Sequence, residues 1–344
     1  MALIHGGQLQ QIAAQYKIPV TDWLDLSTGI APLSYPIPEI PTHIWQQLPQ
    51  TSPCLISAAK HYYQCETLIV TNGSQAIIKA LPQLWQLKNS TVNKVYLPEK
   101  GYKEHAHAWH NAGYQLCYYH DELPEIAELS AHCVLVIINP NNPTGKFFDK
   151  KVLTRYQKAI KALKGLLIID EAFIDIVSSE QSMCAQVNDE HTLVLRSFGK
   201  FFGLAGIRIG FLVANEYWYQ LFSEHLGPWQ VNGPAQFIAQ HALQNKQWHY
   251  QQQQHLQILR QQQEQLLWET FDRKLVTQIN GTHLFLTVGF HQQHIAKEIY
   301  VRLCQQGVYV RLTDEQDSLR FGITTQSNFT RLKNAILTGC KSLK

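Results

Sequence analysis

The sequence predicts an α/β protein: a large domain around a mostly parallel sheet, followed by a smaller α+β domain at the C-terminal end. Three observations lead there. Short, continuously apolar runs alternate with stretches of helical period through most of the chain. Each run ends in a segment rich in Gly, Asn, Pro or Asp. After about residue 245 the texture changes to a glutamine-rich stretch and then to further strand-like runs.

Runs at 67–70, 94–97, 133–138, 166–169, 192–197 and 208–214 are the candidate strands. Several are unbroken apolar blocks, as a strand must be when helices cover both faces of its sheet. In open α/β sheets ligands sit at the carboxyl ends of strands, so the polar segments that follow these runs are the place to look for chemistry. The stretch 248–271 is loaded with glutamine, yet Leu256, Leu259, Leu266 and Leu267 recur at helical spacing. A long amphipathic helix with a solvated glutamine face is expected, linking the two domains. The smaller domain should hold strands near 283–288, 308–312 and 318–323 around a helix at 294–306. The working boundaries are an N-terminal arm over 1–40, contributing to the active site and the small domain, a large domain over 41–245 and a small domain over 246–344.

Composition excludes several functions. With 344 residues, 45% hydrophobic and 16% charged, the chain can bury a substantial core and is not disordered. Its 29 Lys and Arg against 26 Asp and Glu give a net charge of +3 with no sustained basic stripe, so neither nucleic acid nor an anionic membrane is an expected partner. The seven cysteines contain no C-x-x-C pair and read as reduced thiols. The opening residues 1–7 show neither a basic n-region nor the apolar stretch of a signal peptide. The apolar runs fall far short of the ~20 residues a membrane helix needs. A soluble, cytoplasmic protein is expected.

The strongest chemical signal is Ser197-Phe198-Gly199-Lys200, which follows a strand and precedes Phe201-Phe202-Gly203-Leu204-Ala205-Gly206-Ile207-Arg208. A lysine set among apolar and glycine residues is partly desolvated, which favours the neutral amine that bonding to an aldehyde requires. S-x-x-K alone also occurs in serine-lysine hydrolases, so its surroundings matter. Upstream, the run 166–169 ends in Asp170-Glu171-Ala172-Phe173; a carboxylate there can hold a protonated pyridine nitrogen of pyridoxal phosphate. Asn139-Pro140-Asn141-Asn142-Pro143-Thr144-Gly145 forms a rigid turn presenting an asparagine amide. Thr71-Asn72-Gly73-Ser74-Gln75 passes from strand through glycine into a helix, whose N–H groups suit a phosphate, and Arg208 can add a guanidinium.

With these four motifs in order, nearly the whole chain resembles the aspartate-aminotransferase-like fold (fold type I) of pyridoxal-phosphate enzymes. The resemblance implies Lys200 as the lysine that carries pyridoxal 5'-phosphate, Asp170 on the pyridine nitrogen and Asn142 on the ring hydroxyl. It places Gly73, Ser74, Gln75, Ser197 and Arg208 around the cofactor phosphate and stacks Tyr102 on the ring. It also implies a homodimer with active sites at the interface. Two positions depart from the pattern: Phe173 stands where many relatives carry a tyrosine, and Leu48 before Pro49 stands where many have a Tyr-Pro pair.

Within that group the sequence looks more like the L-threonine-O-3-phosphate decarboxylases of cobalamin biosynthesis than like histidinol-phosphate aminotransferases, the alternative. The carriers are His5-Gly6-Gly7-Gln8, Leu26-Ser27-Thr28-Gly29-Ile30-Ala31-Pro32, Asp170 to Asp175, Gly203 to Arg208, and Pro228-Trp229-Gln230-Val231-Asn232. Paired glycines let backbone N–H groups approach an anion closely. By resemblance Arg320 takes the substrate carboxylate, Arg311 lies with His5 and Gly6 near the substrate phosphate, and Gly29 and Asn142 complete the substrate set. The expected product is (R)-1-amino-2-propanol O-phosphate.

Plainer readings stand beside several of these. His105, His107 and His110 give H-x-H-x-x-H, but without a third ligand at clear spacing no metal is expected. His105, close after Tyr102, can still line the cofactor pocket. Trp229 is read as either packing or pocket, and Arg311 as either a ligand or one half of a surface pair. Glu171 points away from Asp170 in an extended segment and reads as structural.

Overall fold

Every residue of the strands Val134–Ile138 and Leu166–Asp170 is buried, and this explains their unbroken apolar sequences. They form the centre of a seven-stranded sheet in a computed structural model that describes residues 5–89 and 94–341. Residues 1–4 of the opening segment read above for a leader lie outside the described part. The chain divides into two units. The larger takes in Tyr35–Asn142 and Lys146–Trp248; the smaller takes in the chain up to Ser34, Pro143–Gly145 and everything from His249 onward.

In the larger unit the strand order is Leu68–Thr71, Gly210–Val213, Thr192–Ser197, Leu166–Asp170, Val134–Ile138, Lys94–Pro98, Gln115–Tyr119. The strands from Thr192–Ser197 to Gln115–Tyr119 are parallel, whereas Gly210–Val213 runs antiparallel to both its neighbours. Asp170, last in its strand, lies in register between Ile138 and Leu195. Thus the turn at Asn142, the carboxylate of Asp170 and the Ser197 to Lys200 segment all leave the sheet at the same end. The edge strand Gln115–Tyr119 is absent from the sequence reading because its residues are mostly exposed or half-buried and do not form an apolar block.

The smaller unit carries a four-stranded antiparallel sheet in the order Arg311–Leu312, Ser318–Gly322, Phe285–Phe290, Val276–Gly281. Helices Gln293–Gln305 and Phe329–Gly339 close its apolar core through Ile295, Ile299, Leu303, Leu332 and Ile336. The N-terminal segment joins this unit through Leu24–Asp25, which pairs in parallel with Val308–Tyr309.

The helix Lys246–Thr270 corrects one expectation, because its glutamines are not all solvated. Gln252, Leu256, Leu259, Gln263, Leu267 and Thr270 form one buried stripe at three- and four-residue spacing. The Gln263 amide nitrogen donates to the Gly322 carbonyl at 2.9 Å, and its oxygen accepts from the Thr324 N–H at 2.9 Å. Gln252 donates to the Leu33 carbonyl at 2.9 Å. Backbone groups in that seam need polar partners, which leucine could not supply. Among the described residues no helix is long and apolar enough to cross a membrane.

Replacing Gln263 by Leu strands two buried backbone groups and is expected to lower stability by about 2–4 kcal/mol. Chemical denaturation measures this directly. Gln261→Leu on the exposed face of the same helix should stay within about 0.5 kcal/mol of wild type.

Candidate active site

The strand Thr192–Ser197 turns directly into a short helix, Phe198–Phe201, and that turn delivers Lys200. Phe198 stacks on Phe202 with ring centroids 4.1 Å apart, and Phe202 stacks on Trp248 at 5.4 Å. Gly199 is required by contact: a Cβ there would sit 2.6 Å from the Ala205 Cα. The lysine thus rises from a rigid apolar platform into a cavity of about 140 Å³, which Asp170, Asn142, Tyr102, Ser197 and Arg208 also line. The Lys200 Nζ lies 5.8 Å from the centre of the Phe173 ring.

Asp170 is 3% exposed. One carboxylate oxygen accepts from the Ala172 N–H at 3.1 Å, and the other is 2.9 Å from Nε2 of the buried His105. Of the three asparagines in the following turn, two hold backbone. Asn139 exchanges hydrogen bonds with Phe148, donating to its carbonyl at 3.0 Å and accepting from its N–H at 2.8 Å, and Asn141 donates to the Lys100 carbonyl at 2.6 Å. Asn142 is the one that lines the cavity.

The far wall is made by the first turn of the helix Ser74–Lys88. Its N-cap, Gly73, has φ +101 and ψ 163, a backbone region open essentially to glycine alone, and no side chain caps the helix. Uncapped first-turn N–H groups form an anion site. The Arg208 guanidinium lies over the same glycine, 3.1 Å from where a Cβ would be. Ser74 and Gln75 line the cavity as expected, but the Gln75 side chain is turned aside. Its amide nitrogen donates to a Glu104 carboxylate oxygen at 2.5 Å, and its oxygen accepts from the Tyr102 hydroxyl at 2.9 Å. What Gln75 offers an anion is therefore its backbone N–H.

Behind these residues lies a buried ionic network that sequence reasoning does not single out. Arg196 pairs with Glu171 at 2.9 Å and with Asp175, over the face of Tyr63. Glu171, fully buried, also accepts from the Ser182 hydroxyl at 2.6 Å and the Met183 N–H at 2.8 Å, while Tyr62 donates to Asp175 at 2.9 Å. Burial works against the Arg196 charge, but Asp175, Cys184 and Glu171 outweigh it and hold its pKa well above the ordinary value. Glu171 is structural, as its position suggests. His105 lies beside the pocket, but its bond to Asp170 is beyond sequence reading, since 65 residues separate the two. The available signal is a buried carboxylate that has to find a partner.

The smaller unit gathers the remaining candidates. Arg311 and Arg320 face each other in register on adjacent antiparallel strands, a like-charged pair with the Asp314 carboxylate beside it. Arg320 is 8% exposed and donates to the Ser27 carbonyl at 2.6 Å. Burial first, then the Arg311 charge, brings its pKa down to about 10. Arg311 pairs with Asp314 at 2.8 Å, so the surface-pair reading holds for it as well. Gly6 is pressed against Ser27: a Cβ on it would lie 2.2 Å from the Ser27 carbonyl oxygen. The Gly7 N–H donates to the Ser27 hydroxyl at 2.8 Å, and that hydroxyl donates to Asp25 at 2.7 Å. The segment of His5, Gly6 and Gly7 is thereby joined to the Ser27 to Gly29 turn and to Arg320.

The other histidines and Trp229 lie elsewhere. His107 is exposed and bonded to Asn111 at 3.0 Å. Among the described residues no group of three or more His, Cys, Asp or Glu could hold a metal ion. Trp229 borders a separate open hollow with Thr51, Lys60 and Tyr219, not the cavity of Lys200.

The cavity residues fit pyridoxal phosphate: an amine for its aldehyde, a buried carboxylate for its ring nitrogen, and an uncapped helix start with a guanidinium for its phosphate. Comparisons with known proteins agree. A family model described as aminotransferase class I and II matches residues 45–336. The chain is 38% identical over 340 residues to threonine-phosphate decarboxylase from Pseudomonas aeruginosa, covering 97% of each chain. It is 26% identical to histidinol-phosphate aminotransferase from Ruminiclostridium cellulolyticum over 80% of this chain and 78% of that one. In fold it matches histidinol-phosphate aminotransferase from Sinorhizobium meliloti, solved in complex with pyridoxal-5'-phosphate, with a TM-score of 0.81 at 17% identity, covering 100% of this chain and 96% of that one.

Gly73→Ala forces a side chain into a glycine-only conformation beneath Arg208. It should weaken pyridoxal phosphate binding about tenfold or more, measured by absorbance titration of the cofactor-free protein.

Proposed function

The chain belongs to the aminotransferase class I and II family, and from that premise we propose that it is the pyridoxal-phosphate-dependent decarboxylase that converts L-threonine O-3-phosphate to (R)-1-amino-2-propanol O-phosphate in cobalamin biosynthesis. The observation that carries this is the 38% identity to a threonine-phosphate decarboxylase over 97% of both chains.

Bound pyridoxal phosphate supplies a protonated ring into which the electrons of a breaking Cα bond can spread. The protein's own residues do the rest. Lys200 would hold the cofactor through its aldehyde, and its amine is the group that would move the proton at the substrate Cα. Asp170, aimed by His105 and the Ala172 N–H, keeps the ring nitrogen protonated. Asn142 would bind the ring hydroxyl, Tyr102 would cover the ring, and Arg208 with the first-turn N–H groups and Ser197 would hold the phosphate.

For the substrate, Arg320 takes the carboxylate, and Arg311 with His5 and Gly6 takes the phosphate, with Gly29 and Asn142 completing the set. Two observations support this: Arg311 and Arg320 stand opposite each other in register, and burial with the Arg311 charge lowers the Arg320 pKa, a shift that an anionic ligand opposes. The Cα–carboxylate bond breaks, CO2 departs, and a proton delivered by Lys200 takes its place on Cα. Two anchored anionic groups would fix the rotation of the substrate, and with it the Cα bond that breaks.

We further infer a homodimer. Trp45 and Leu48 of the larger unit are 63% and 67% exposed, and Leu48 occupies the position where the resemblance puts a residue that reaches the neighbouring subunit. Seven free cysteines support a reducing, cytoplasmic setting.

Purified holoenzyme should release CO2 from L-threonine O-3-phosphate, and Lys200→Ala should abolish both this and the absorbance of lysine-bound cofactor. Arg320→Gln should raise KM by about 10–100-fold with cofactor binding unchanged. Amino transfer from histidinol phosphate to 2-oxoglutarate, without CO2, would overturn the decarboxylase reading. Light scattering should report a dimer that Trp45→Glu combined with Leu48→Glu converts to monomer.

A further inference from the structure

Two helices begin at the wall of the cofactor cavity, Ser74–Lys88 and Lys103–Asn111, and each carries a polar residue in its first turn that the chemistry above does not use. On the first it is the Gln75 side chain; on the second it is Glu104, only 9% exposed. They are bonded to each other, and Gln75 is bonded in turn to Tyr102.

We propose that Glu104 is a positioning residue of the cofactor site, acting through Gln75 to fix the ring of Tyr102 against the cavity. The direction of the chain follows from donor chemistry. A carboxylate can only accept, so the Gln75 amide nitrogen faces Glu104 and its oxygen faces Tyr102. That oxygen can only accept in turn, so the Tyr102 hydroxyl donates. The charge at one end thereby sets the orientation of every group along the line. Charged acceptors give the stronger bonds, and the N-terminal turn of its own helix favours a carboxylate at Glu104.

The other side of Tyr102 is held as well. Its ring meets His105 edge-on, with centroids 6.4 Å apart at 82°, and His105 is the partner of Asp170. Tyr102 therefore stands between two anchors: Glu104 through its hydroxyl and the Asp170–His105 pair through its ring edge. Burial first, then the Glu104 and Asp170 charges, pushes the Tyr102 phenol far above its ordinary pKa. This keeps the hydroxyl protonated, as the donor that the Gln75 oxygen needs. The same bond keeps the Gln75 amide off the phosphate, leaving that role to main-chain N–H groups.

This inference rests on the cofactor pocket and not on the choice of substrate. The test uses absorbance titration of cofactor-free protein with pyridoxal phosphate, together with visible circular dichroism of the bound cofactor, which reports how asymmetrically its ring is held. Glu104→Ala should weaken binding about tenfold and shrink the dichroic band, whereas Glu104→Gln, which keeps an acceptor oxygen, should stay within about threefold of wild type. Gln75→Ala should weaken binding similarly, and adding Glu104→Ala to it should cost less than about twofold more, because the line is already cut. A Glu104→Ala protein with unchanged affinity and dichroism, or losses that simply multiply in the double variant, would overturn the proposal. Should Glu104→Ala not fold, the Gln75→Ala and Tyr102→Phe pair decides the matter equally well: a double variant no worse than the weaker-binding single supports the line, and multiplied losses refute it. An absence of CO2 release from threonine phosphate would touch the substrate reading alone.

Discussion

A carboxylate kept dry at the end of a central strand is the constraint around which the larger unit is organised. An isolated charge in that position would cost several kcal/mol, so Asp170 survives only because His105 and the Ala172 N–H meet its two oxygens. The requirement propagates outward. His105 must be buried, so the helix Lys103–Asn111 turns His105, Ala106 and Trp109 inward. The neighbouring residue Glu171 cannot also be left bare, and Arg196 on the next strand bridges it to Asp175. That bridge ties the strand of Asp170 to the strand that ends in Ser197 and leads to Lys200. Two buried ionic groups, Asp170 with His105 and Glu171 with Arg196 and Asp175, are thereby rooted in adjacent residues at one strand end.

Much of this is legible in the sequence because it is periodic or compositional. Strands buried on both faces betray themselves as apolar blocks, and the blocks at 133–138, 166–169 and 192–197 lead to the three segments that carry Asn142, Asp170 and Lys200. Where one face meets water the signal fades: Gln115–Tyr119 and Val276–Gly281 are mixed in polarity and do not stand out as strands. The glutamine-rich helix misleads for a different reason. Composition says that glutamine tolerates water, but it cannot say that Gln252 and Gln263 fall on the same stripe as Leu256 and Leu267 and face open backbone groups. Side-chain direction is equally hidden. The motif around Gln75 puts it at the cavity, yet its amide serves Glu104 and Tyr102, partners 29 and 27 residues away.

The smaller unit accommodates an electrostatically unfavourable arrangement. Two arginines in direct cross-strand register repel, and burying one of them adds desolvation to the repulsion. The fold accommodates this through backbone contacts: Arg320 on the Ser27 carbonyl, Gly6 pressed against the same carbonyl, and Gly322 so close to the Thr28 carbonyl that a Cβ would lie 2.3 Å from it. These contacts hold Arg320 in place against the Ser27 carbonyl.

Reaction choice follows from this division. Every residue that touches the cofactor would serve decarboxylation and transamination alike, since both draw electrons from Cα into the same ring. The cavity motifs therefore identify the cofactor and leave the reaction open. What differs is the rotation of the substrate about the bond from its nitrogen to Cα, and rotation is controlled by the groups that grip its far ends. A second anchor on the substrate phosphate removes the freedom to rotate. Arg320 and Arg311, fixed in register on adjacent strands of the smaller unit, are the residues that the proposed function assigns to those far ends.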